Sequence, residues 1–466
     1  MQNIGSYFWN FISKFGTQLL WIITTMVLAR YLSPEDFGMI GVLSLIFMVA
    51  NTLSEAGLGG ALVIQKELKK NDCSTIFTFN LIVSCVLYLI VFGFADLVEK
   101  FYEVDGLSKV TKVISLVFVI NAFSCVPRTI LYHRLQFKQL CFITIISVII
   151  SSTCSIIMAI VGCGVYSLVA YQLLLAILQV IGLFIVSKYR ISLAFYWSNF
   201  KSLFSFGFFT TVCGVIDTIY ENLLAAIYGK YFNMTQAGYL SQAKKIEEAS
   251  TLALLSSVNN TSFPVLAKLK DDKQKFIEEA LIIRKMIPIV IFPFLIVLMV
   301  FSREVIFLLF GQKWLEAAPY LSMLIIAGMF MILDSITRNS IKSLGKVKEL
   351  MYATFIKRAL ACFLVLLFAF ISTNLILYGY ILGSIVGVLS NYYAYYRLGY
   401  IRFIEILKEF FTPWLWAIPL WIAVYECYNC MPHMIFKIIA TTSILFIFYF
   451  SIFRIFNIKI LKLIKR

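Results

Sequence analysis

The sequence is poor in charge: only 14% of its 466 residues are Asp, Glu, Lys or Arg, whereas 61% are hydrophobic. A soluble protein of this length could not bury so much apolar surface in one core. The short alternating segments of a membrane β-barrel are also missing. Instead, apolar runs of about 20 residues, the length that crosses a bilayer as a helix, recur to the end of the chain. The composition therefore predicts an all-α polytopic membrane protein.

Motifs for catalysis and for metal binding are missing as well. There is no Gly-rich phosphate loop and no HExxH motif, and no loop between predicted spans exceeds about 25 residues. Cys427, Cys430 and His433 lie close together, but a tetrahedral zinc site needs a fourth ligand. Most cysteines lie inside apolar runs, where they act as small hydrophobic side chains. These absences argue against an enzyme, such as a polymerase or glycosyltransferase, and predict no metal or cofactor.

The apolar runs predict fourteen membrane-spanning helices. The predicted spans are residues 6–29, 38–64, 75–95, 110–131, 140–161, 166–187, 203–228, 237–264, 286–310, 316–342, 350–371, 374–396, 410–427 and 433–453. Proline predicts a kink or local unwinding in the ninth span, at Pro288 and Pro293, and in the thirteenth, at Pro413 and Pro419. Tryptophans near span ends, Trp314 among them, are expected to anchor the chain at the membrane interface.

Basic residues are divided unevenly between the two sides of these spans. Loops after even-numbered spans, counted with the span ends that adjoin them and with the C-terminal tail, hold 29 Lys and Arg, whereas loops after odd-numbered spans, counted in the same way, hold eight. Because cytoplasmic loops are enriched in Lys and Arg, both termini are predicted to lie in the cytoplasm. The net charge of +16 is then explained by topology-setting loops beside anionic lipid, and nucleic acid is not an expected partner. The first apolar run lacks a basic leader, so it is predicted to remain as the first span.

Two ten-residue segments indicate an internal duplication. Residues 29–38 (ARYLSPEDFG) and 229–238 (GKYFNMTQAG) align without a gap, and each has a basic residue before Tyr, a helix-capping Ser or Asn, and a final Gly. This repeat predicts two parallel six-helix bundles, residues 1–200 and 201–400, related by an axis along the membrane normal. Residues 401–466 would add two further transmembrane helices and a basic cytoplasmic tail.

Four segments resemble the sequence signatures of Wzx-type polysaccharide flippases, in the MOP exporter superfamily. They are residues 29–38, 134–138 (RLQFK), 263–272 (FPVLAKLKDD) and 311–319 (GQKWLEAAP), and the resemblance extends over about residues 1–400. It implies a MATE-like, V-shaped pair of bundles around a central cavity, in the cytoplasmic (inner) membrane of a bacterium. The implied activity moves undecaprenyl-diphosphate-linked oligosaccharide to the outer leaflet for surface polysaccharide such as O-antigen, lipopolysaccharide or exopolysaccharide. Polysaccharide polymerase and chain-length proteins are the implied partners.

Charged residues inside the predicted spans are the candidate functional residues, because each costs roughly 2.5–3.5 kcal/mol when it faces lipid at the midplane. A flippase needs a wet cavity for the sugar headgroup and cations for the diphosphate. The predicted substrate-binding cations are Lys14, Lys244, Lys245, Arg338 and Arg358. The predicted charge partners or H⁺- or Na⁺-coupling groups are Glu55, Asp217, Glu221, Glu247, Glu248 and Asp334.

Simpler interpretations exist for these charges. Lys14 and Glu55 lie at matching depths, and Asp334 and Arg338 share one helix face, so both pairs could be structural ion pairs. Lys357 and Arg358 lie at about the depth of Asp334. The charges of residues 244–248 would be solvated outside the membrane if the eighth span began later.

Two other functions stay open at this point. One is a flippase for another lipid-linked precursor, of the peptidoglycan or teichuronic type, which sequence patterns barely separate from the first. The other is a cation-coupled multidrug exporter of the same fold, which would use Asp217 and Glu221 as a compact acidic site. The neighbouring lysines favour an anionic substrate over a cationic drug.

Overall fold

The computed structural model describes residues 2–55, 68–372 and 375–455, and within these ranges every regular element is helical. A short 3₁₀ helix, Gln312–Trp314, accompanies sixteen α-helices. The α-helices are α1 (Gln2–Tyr31), α2 (Pro34–Glu55), α3 (Lys70–Tyr102), α4 (Leu107–Ile114), α5 (Leu116–His133), α6 (Phe137–Ile160), α7 (Tyr166–Ser187), α8 (Trp197–Tyr231), α9 (Met234–Lys268), α10 (Lys273–Val300), α11 (Ser302–Phe310), α12 (Ala317–Ser343), α13 (Val347–Ile371), α14 (Ile376–Arg397), α15 (Phe403–Cys430) and α16 (Met434–Ile455).

Ten stretches of the described chain are helical, long and apolar enough to cross a membrane. The all-α, multi-pass class is therefore confirmed. Helices α8, α9, α15 and α16 also coincide with predicted spans and have 35, 35, 28 and 22 residues. The count of fourteen spans stays a prediction. The basic tail from residue 456 onward lies outside the described residues.

The two repeated segments cap helices as their sequences predict. Ser33 Oγ accepts a hydrogen bond from the backbone N–H of Asp36 at 3.2 Å, and Asp36 Oδ2 accepts one from the N–H of Ser33 at 2.9 Å. This reciprocal pair is a capping box at the start of α2. Asn233 Oδ1 accepts from the N–H of Gln236 at 2.8 Å at the start of α9. Both caps satisfy backbone donors that the first turn of a helix leaves free.

Several helices differ from the predicted spans. The ninth span, residues 286–310, is two helices: α10 begins at Lys273 and ends at Val300, and α11 follows after Phe301. Helix α10 is continuous through Pro288 and Pro293, so the predicted unwinding is wrong there. Helix α15 likewise continues through both of its prolines. Membrane helices tolerate proline because neighbouring groups satisfy the freed carbonyl.

The chain divides into two compact units. Unit 1 is Met1–Gln242 with Leu309–Trp314, and unit 2 is Ala243–Leu308 with Leu315–Arg466. In unit 1, α6 packs against α1 and α7, α5 packs against α3 and α7, and α2 runs along α8. In unit 2, α14 packs against α12 and α13, while α10 packs against α12 and α15. The predicted boundaries at residues 200 and 400 stay predictions.

Within unit 1, the starts of α2 and α9 cross at backbone contact. A Cβ added to Gly38 would lie 1.8 Å from the carbonyl oxygen of Met234, and one added to Gly238 would lie 1.9 Å from that of Pro34. The arrangement is reciprocal, since each glycine faces the first residue of the other helix. Only glycine permits so close an approach of two backbones. The final Gly of each repeated segment is thus explained by the contact between the two segments.

Trp314 joins this crossing. Its indole Nε1 donates to the carbonyl oxygen of Ala29 at 3.0 Å, and its ring packs edge-on against Phe37 and Tyr239. The side chain is 0% exposed, so the prediction of an interfacial anchor at Trp314 is wrong. Three motif segments that are far apart in the sequence therefore form one contact region, called here the motif cluster: residues 29–38, 229–238 and 312–314.

Candidate functional site

A buried charge cluster in unit 2 is centred on Asp334 of α12. The ammonium of Lys357, on α13, donates to both carboxylate oxygens at 2.8 and 2.9 Å. Arg338 donates at 2.7 Å from one turn along α12, and the Asn391 amide on α14 donates at 2.6 Å. The predicted Asp334–Arg338 pair is present, and Lys357, which was predicted at about the depth of Asp334, contacts it. Three helices thus converge on one carboxylate.

The charge of this cluster is not balanced by Asp334. One carboxylate faces the cations of Lys357 and Arg338, and its electrostatic neighbours include Arg358. Lys357 is 1% exposed and Arg358 is 8% exposed. The four groups carry a formal excess of two positive charges, and Arg338 Nε is buried without a hydrogen-bond partner among the described residues. A formal excess of positive charge favours an anion nearby.

A second charge cluster lies on α9 in unit 2. The Lys244 ammonium is 3.7 Å from Glu248 and 5.8 Å from the ring centroid of Tyr380 on α14. Glu247 is 4% exposed and accepts a hydrogen bond from Thr251 Oγ1 at 3.1 Å. Lys245 is half-buried, with Glu248 as an electrostatic partner. The segment is therefore packed into the unit along part of its circumference and is not fully solvated.

Glycine makes room for Glu247. A Cβ at Gly328 of α12 would overlap Glu247 Oε1, so this carboxylate lies directly against the α12 backbone. Glu247 therefore contacts α12, the helix that also carries Asp334. Neither Gly328 nor its contact with α9 was predicted, because no sequence spacing relates residues on different helices.

The other predicted residues lie in unit 1. Lys14 is exposed on α1. The side chain of its predicted partner Glu55 lies outside the described residues, so the pair stays a prediction. On α8, Asp217 is half-buried and Glu221 is exposed. Their predicted partners Lys244 and Lys245 belong to unit 2.

A polar seam runs along α2 beside these α8 carboxylates. Ser44 Oγ lies 3.2 Å from Asn222 Oδ1, and the hydroxyls of Thr52 and Thr218 are 3.2 Å apart. Thr218 and Asn222 directly follow Asp217 and Glu221 in the sequence. The seam was missed in the sequence because its residues are uncharged. Such side chains commonly bridge membrane helices.

A buried ion pair was also missed. Arg284 Nε on α10 donates to Glu409 Oε2 on α15 at 2.6 Å, and both side chains are almost fully buried. The guanidinium also lies 4.7 Å from the ring centroid of Tyr395. Both charges fell just outside predicted spans 286–310 and 410–427. Extending each predicted span by one turn would have placed both charges inside a span, although no spacing rule would have paired them.

Comparison with known proteins finds one matching protein family and several related sequences. The family described as polysaccharide biosynthesis protein matches residues 27–319. The succinoglycan biosynthesis transport protein ExoT of Rhizobium meliloti is 25% identical over 385 residues, covering 83% of this chain and 75% of that protein. The lipopolysaccharide biosynthesis protein WzxC of Escherichia coli is 25% identical over 312 residues, covering 66% of this chain and 63% of that protein.

A solved structure shares the fold. Lipid II flippase MurJ, in an inward closed conformation, superposes with a TM-score of 0.76 over 95% of this chain and 98% of that protein. The sequence identity is 16%, so the likeness concerns the arrangement of helices alone.

Among the described residues, no three His, Cys, Asp or Glu side chains are grouped as a metal site requires.

Proposed function

Because this chain belongs to the polysaccharide biosynthesis protein family, we propose that it translocates an undecaprenyl-diphosphate-linked oligosaccharide across the bacterial cytoplasmic membrane. The protein is a multi-pass membrane transporter of polysaccharide biosynthesis and not an enzyme. ExoT is named as a transport protein, and the fold is that of a lipid II flippase. The names of the sequence relatives ExoT and WzxC support a polysaccharide precursor as the cargo.

The excess positive charge around Asp334 is the observation that carries this proposal. Translocation makes and breaks no covalent bond, so the protein has only to lower the energy of a diphosphate and a sugar headgroup inside the bilayer. The diphosphate of such a cargo is esterified at both ends, so it carries two negative charges, and charge-assisted hydrogen bonds from Lys and Arg stabilise it. Arg338 and Arg358 supply such donors next to a carboxylate that fixes Lys357. A cationic drug would be repelled by this cluster.

We assign roles to the remaining charges on the same basis. Lys244, Lys245 and Lys14 would bind the diphosphate at successive stages of alternating access, within a cationic cavity. Glu247, Glu248 and Glu55 would orient these lysines, and Asp217 with Glu221 would exchange H⁺ or Na⁺ to drive the cycle. Polysaccharide polymerase and chain-length proteins are the expected partners downstream.

The decisive experiment is mass spectrometry of membrane lipids from a strain lacking the gene, with surface polysaccharide assayed alongside. We expect undecaprenyl-diphosphate oligosaccharide to accumulate and surface glycan to be lost. Wild-type protein should restore both, whereas the triple variant Lys14→Gln, Lys244→Gln, Lys245→Gln and the single variant Arg358→Gln should not. The matched control Lys270→Gln with Lys346→Gln removes exposed charges outside the site and should restore both.

Other outcomes separate the rival functions. Accumulation of the peptidoglycan precursor would identify a lipid II flippase, which the likeness to MurJ favours as the second candidate. A headgroup of teichuronic type would be equally visible in the same mass spectra. Normal lipid intermediates with normal glycan, in a strain without a redundant flippase, would reject the proposal and direct attention to cation-coupled drug export through Asp217 and Glu221.

A further inference from the structure

Unit 1 contains a basic pocket that the proposed transport pathway does not use. It has a volume of about 430 Å³ and lies between the start of α3, the end of α5 and the segment that follows α7. It is lined by the cations of Lys70 and Arg134, the ring of His133, and the side chains of Leu68, Cys73, Ile130 and Tyr189. The charge distribution of the loops places this pocket on the predicted cytoplasmic side.

The cations of this pocket use only part of their hydrogen-bonding capacity in contacts with the protein. Arg134 donates from one guanidinium nitrogen to the carbonyl oxygen of Ser187 at 3.4 Å, a long contact that leaves other donors of the fork for a ligand. Lys70 is exposed in the first turn of α3. Asp72, a carboxylate on the same turn, is buried. The pocket lining therefore includes these cations but not the Asp72 carboxylate.

Tyr189 supplies a neutral donor at the inner end. Its hydroxyl is buried and has no hydrogen-bond partner among the described residues, whereas its ring packs on Phe77 and Phe184. Burial, with a smaller effect from Cys73, raises the pKa of Tyr189 to about 12. The phenol therefore stays protonated at physiological pH. A buried donor without an acceptor is unfavourable, so an acceptor oxygen in the pocket would stabilise it.

The adjoining segment is suited to the membrane interface. Ile191 and Leu193 are 51% and 65% exposed in the stretch that leads from α7 to α8, and Trp197, the first residue of α8, is 68% exposed. Two hydrogen bonds hold this stretch on α3: Thr78 Oγ1 donates to the carbonyl oxygen of Ala194, and the Tyr196 N–H donates to Thr75 Oγ1. Exposed apolar and aromatic side chains beside basic residues are typical of the headgroup boundary of a bilayer.

We propose that this pocket binds the phosphate group of a membrane lipid. Lys70 and Arg134 pair with the phosphate oxygens, the Tyr189 hydroxyl donates to one of them, and the acyl or prenyl chain lies over residues 191–197. Two membrane lipids carry this chemistry: an anionic phospholipid and the polyprenyl phosphate carrier. The site uses none of the residues proposed to bind the cargo, so it is a second lipid site in addition to the transport pathway.

Native mass spectrometry of the purified full-length protein tests this proposal. The detergent-solubilised protein is incubated separately with phosphatidylglycerol, undecaprenyl phosphate and inorganic phosphate. We expect Lys70→Gln with Arg134→Gln to reduce retained phospholipid about tenfold, because two charge-assisted contacts are lost. Tyr189→Phe should give a smaller loss. The control Lys270→Gln with Lys346→Gln removes the same charge from exposed positions and should bind like wild type.

Each result of this binding experiment either supports or overturns the proposed lipid site. Retention of undecaprenyl phosphate alone, lost in the pocket variant, supports the site with the carrier as its ligand, and retention of phosphatidylglycerol alone supports it with a bulk phospholipid. Equal retention by the pocket variant and its control would overturn the proposal, as would binding of inorganic phosphate without either lipid. If the double variant aggregates, Tyr189→Phe decides, because it removes one oxygen and keeps the ring packing. The assay measures binding without transport, so it is independent of the proposed function.

Discussion

At the scale of single residues, Lys357 shows how a lysine is kept charged inside a membrane protein. Its side chain is 2% exposed and is held by both oxygens of Asp334, whose remaining capacity is taken by Arg338 and Asn391. The i, i+4 spacing predicted the contact on α12, and equal depth placed Lys357 near it. The hydrogen bond from Asn391 to Asp334 could not be predicted, because no spacing rule relates α14 to α12.

Asp334→Asn is expected to destabilise the protein strongly. The change leaves the buried ammonium of Lys357 without a counter-charge, which typically lowers the free energy of unfolding by about 3–5 kcal/mol. The melting temperature of the protein in detergent measures this loss of stability. The double variant Asp334→Asn with Lys357→Met removes both charges and should recover part of the loss.

Asp272→Asn is the matched control for this prediction. Asp272 caps α10 by accepting a hydrogen bond from the Lys275 N–H, and Asn caps a helix about as well as Asp. The control should melt close to wild type. If Asp334→Asn and Asp272→Asn melted alike, the Asp334 carboxylate would not be the group that stabilises Lys357.

At the scale of helices, sequence reasoning succeeded locally and failed between elements. The capping residues Ser33 and Asn233 were predicted because caps act within three residues of sequence. The crossing of α2 and α9 was not, although Gly38 and Gly238 occupy the same position in both repeated segments. Helix ends were misplaced for a related reason. Hydropathy detects the part of a helix that lies in lipid, and α10 begins thirteen residues before the predicted span, in polar turns that include Arg284.

Gly38→Ala and Gly238→Ala test the crossing. Each added methyl group would overlap a backbone carbonyl of the opposite helix, and a backbone cannot rotate aside as a side chain can. We expect each variant to lower the free energy of unfolding by about 1–3 kcal/mol or more, and to impair transport. Melting temperature and complementation of surface glycan are the measurements.

Gly93→Ala, in the middle of α3, is the control for both variants. A Cβ there would have no atom within 4 Å among the described residues, so there is no clash. Alanine is the better helix former, by about 1 kcal/mol, so this variant should be neutral or slightly stabilised. Equal destabilisation at Gly38 and Gly93 would show that the crossing is not the reason for the glycine.

At the scale of the whole molecule, composition was sufficient for the class, whereas the topology inferred from the charge distribution stays a prediction. The all-α membrane class follows from apolar runs that no soluble core could bury. The resemblance of the short motifs indicated the family. Two of those motifs, residues 29–38 and 311–319, also contribute to the motif cluster, where Trp314 contacts both repeated segments. The pairing of Arg284 with Glu409 was out of reach, because it depends on which helices become neighbours.

The topology makes a prediction that is independent of transport. In a variant without native cysteines, Tyr31→Cys should react with a membrane-impermeant maleimide in intact cells, because it follows an odd-numbered span. Lys270→Cys follows an even-numbered span and should react only after permeabilisation. Both positions are exposed, so access depends on the side of the membrane. The reverse labelling pattern would show that the Lys and Arg asymmetry was misread.

The burial of Trp314 gives the molecule an optical reporter of its own. All seven tryptophans lie in the part of the chain that the structure describes, and Trp314 is the buried one, enclosed by Phe37, Tyr239 and Phe310. With the other six replaced by phenylalanine, intrinsic fluorescence should be blue-shifted and poorly quenched by iodide. Any step of the transport cycle that separates the repeated segments would then appear as a red shift, readable in unlabelled protein and in real time.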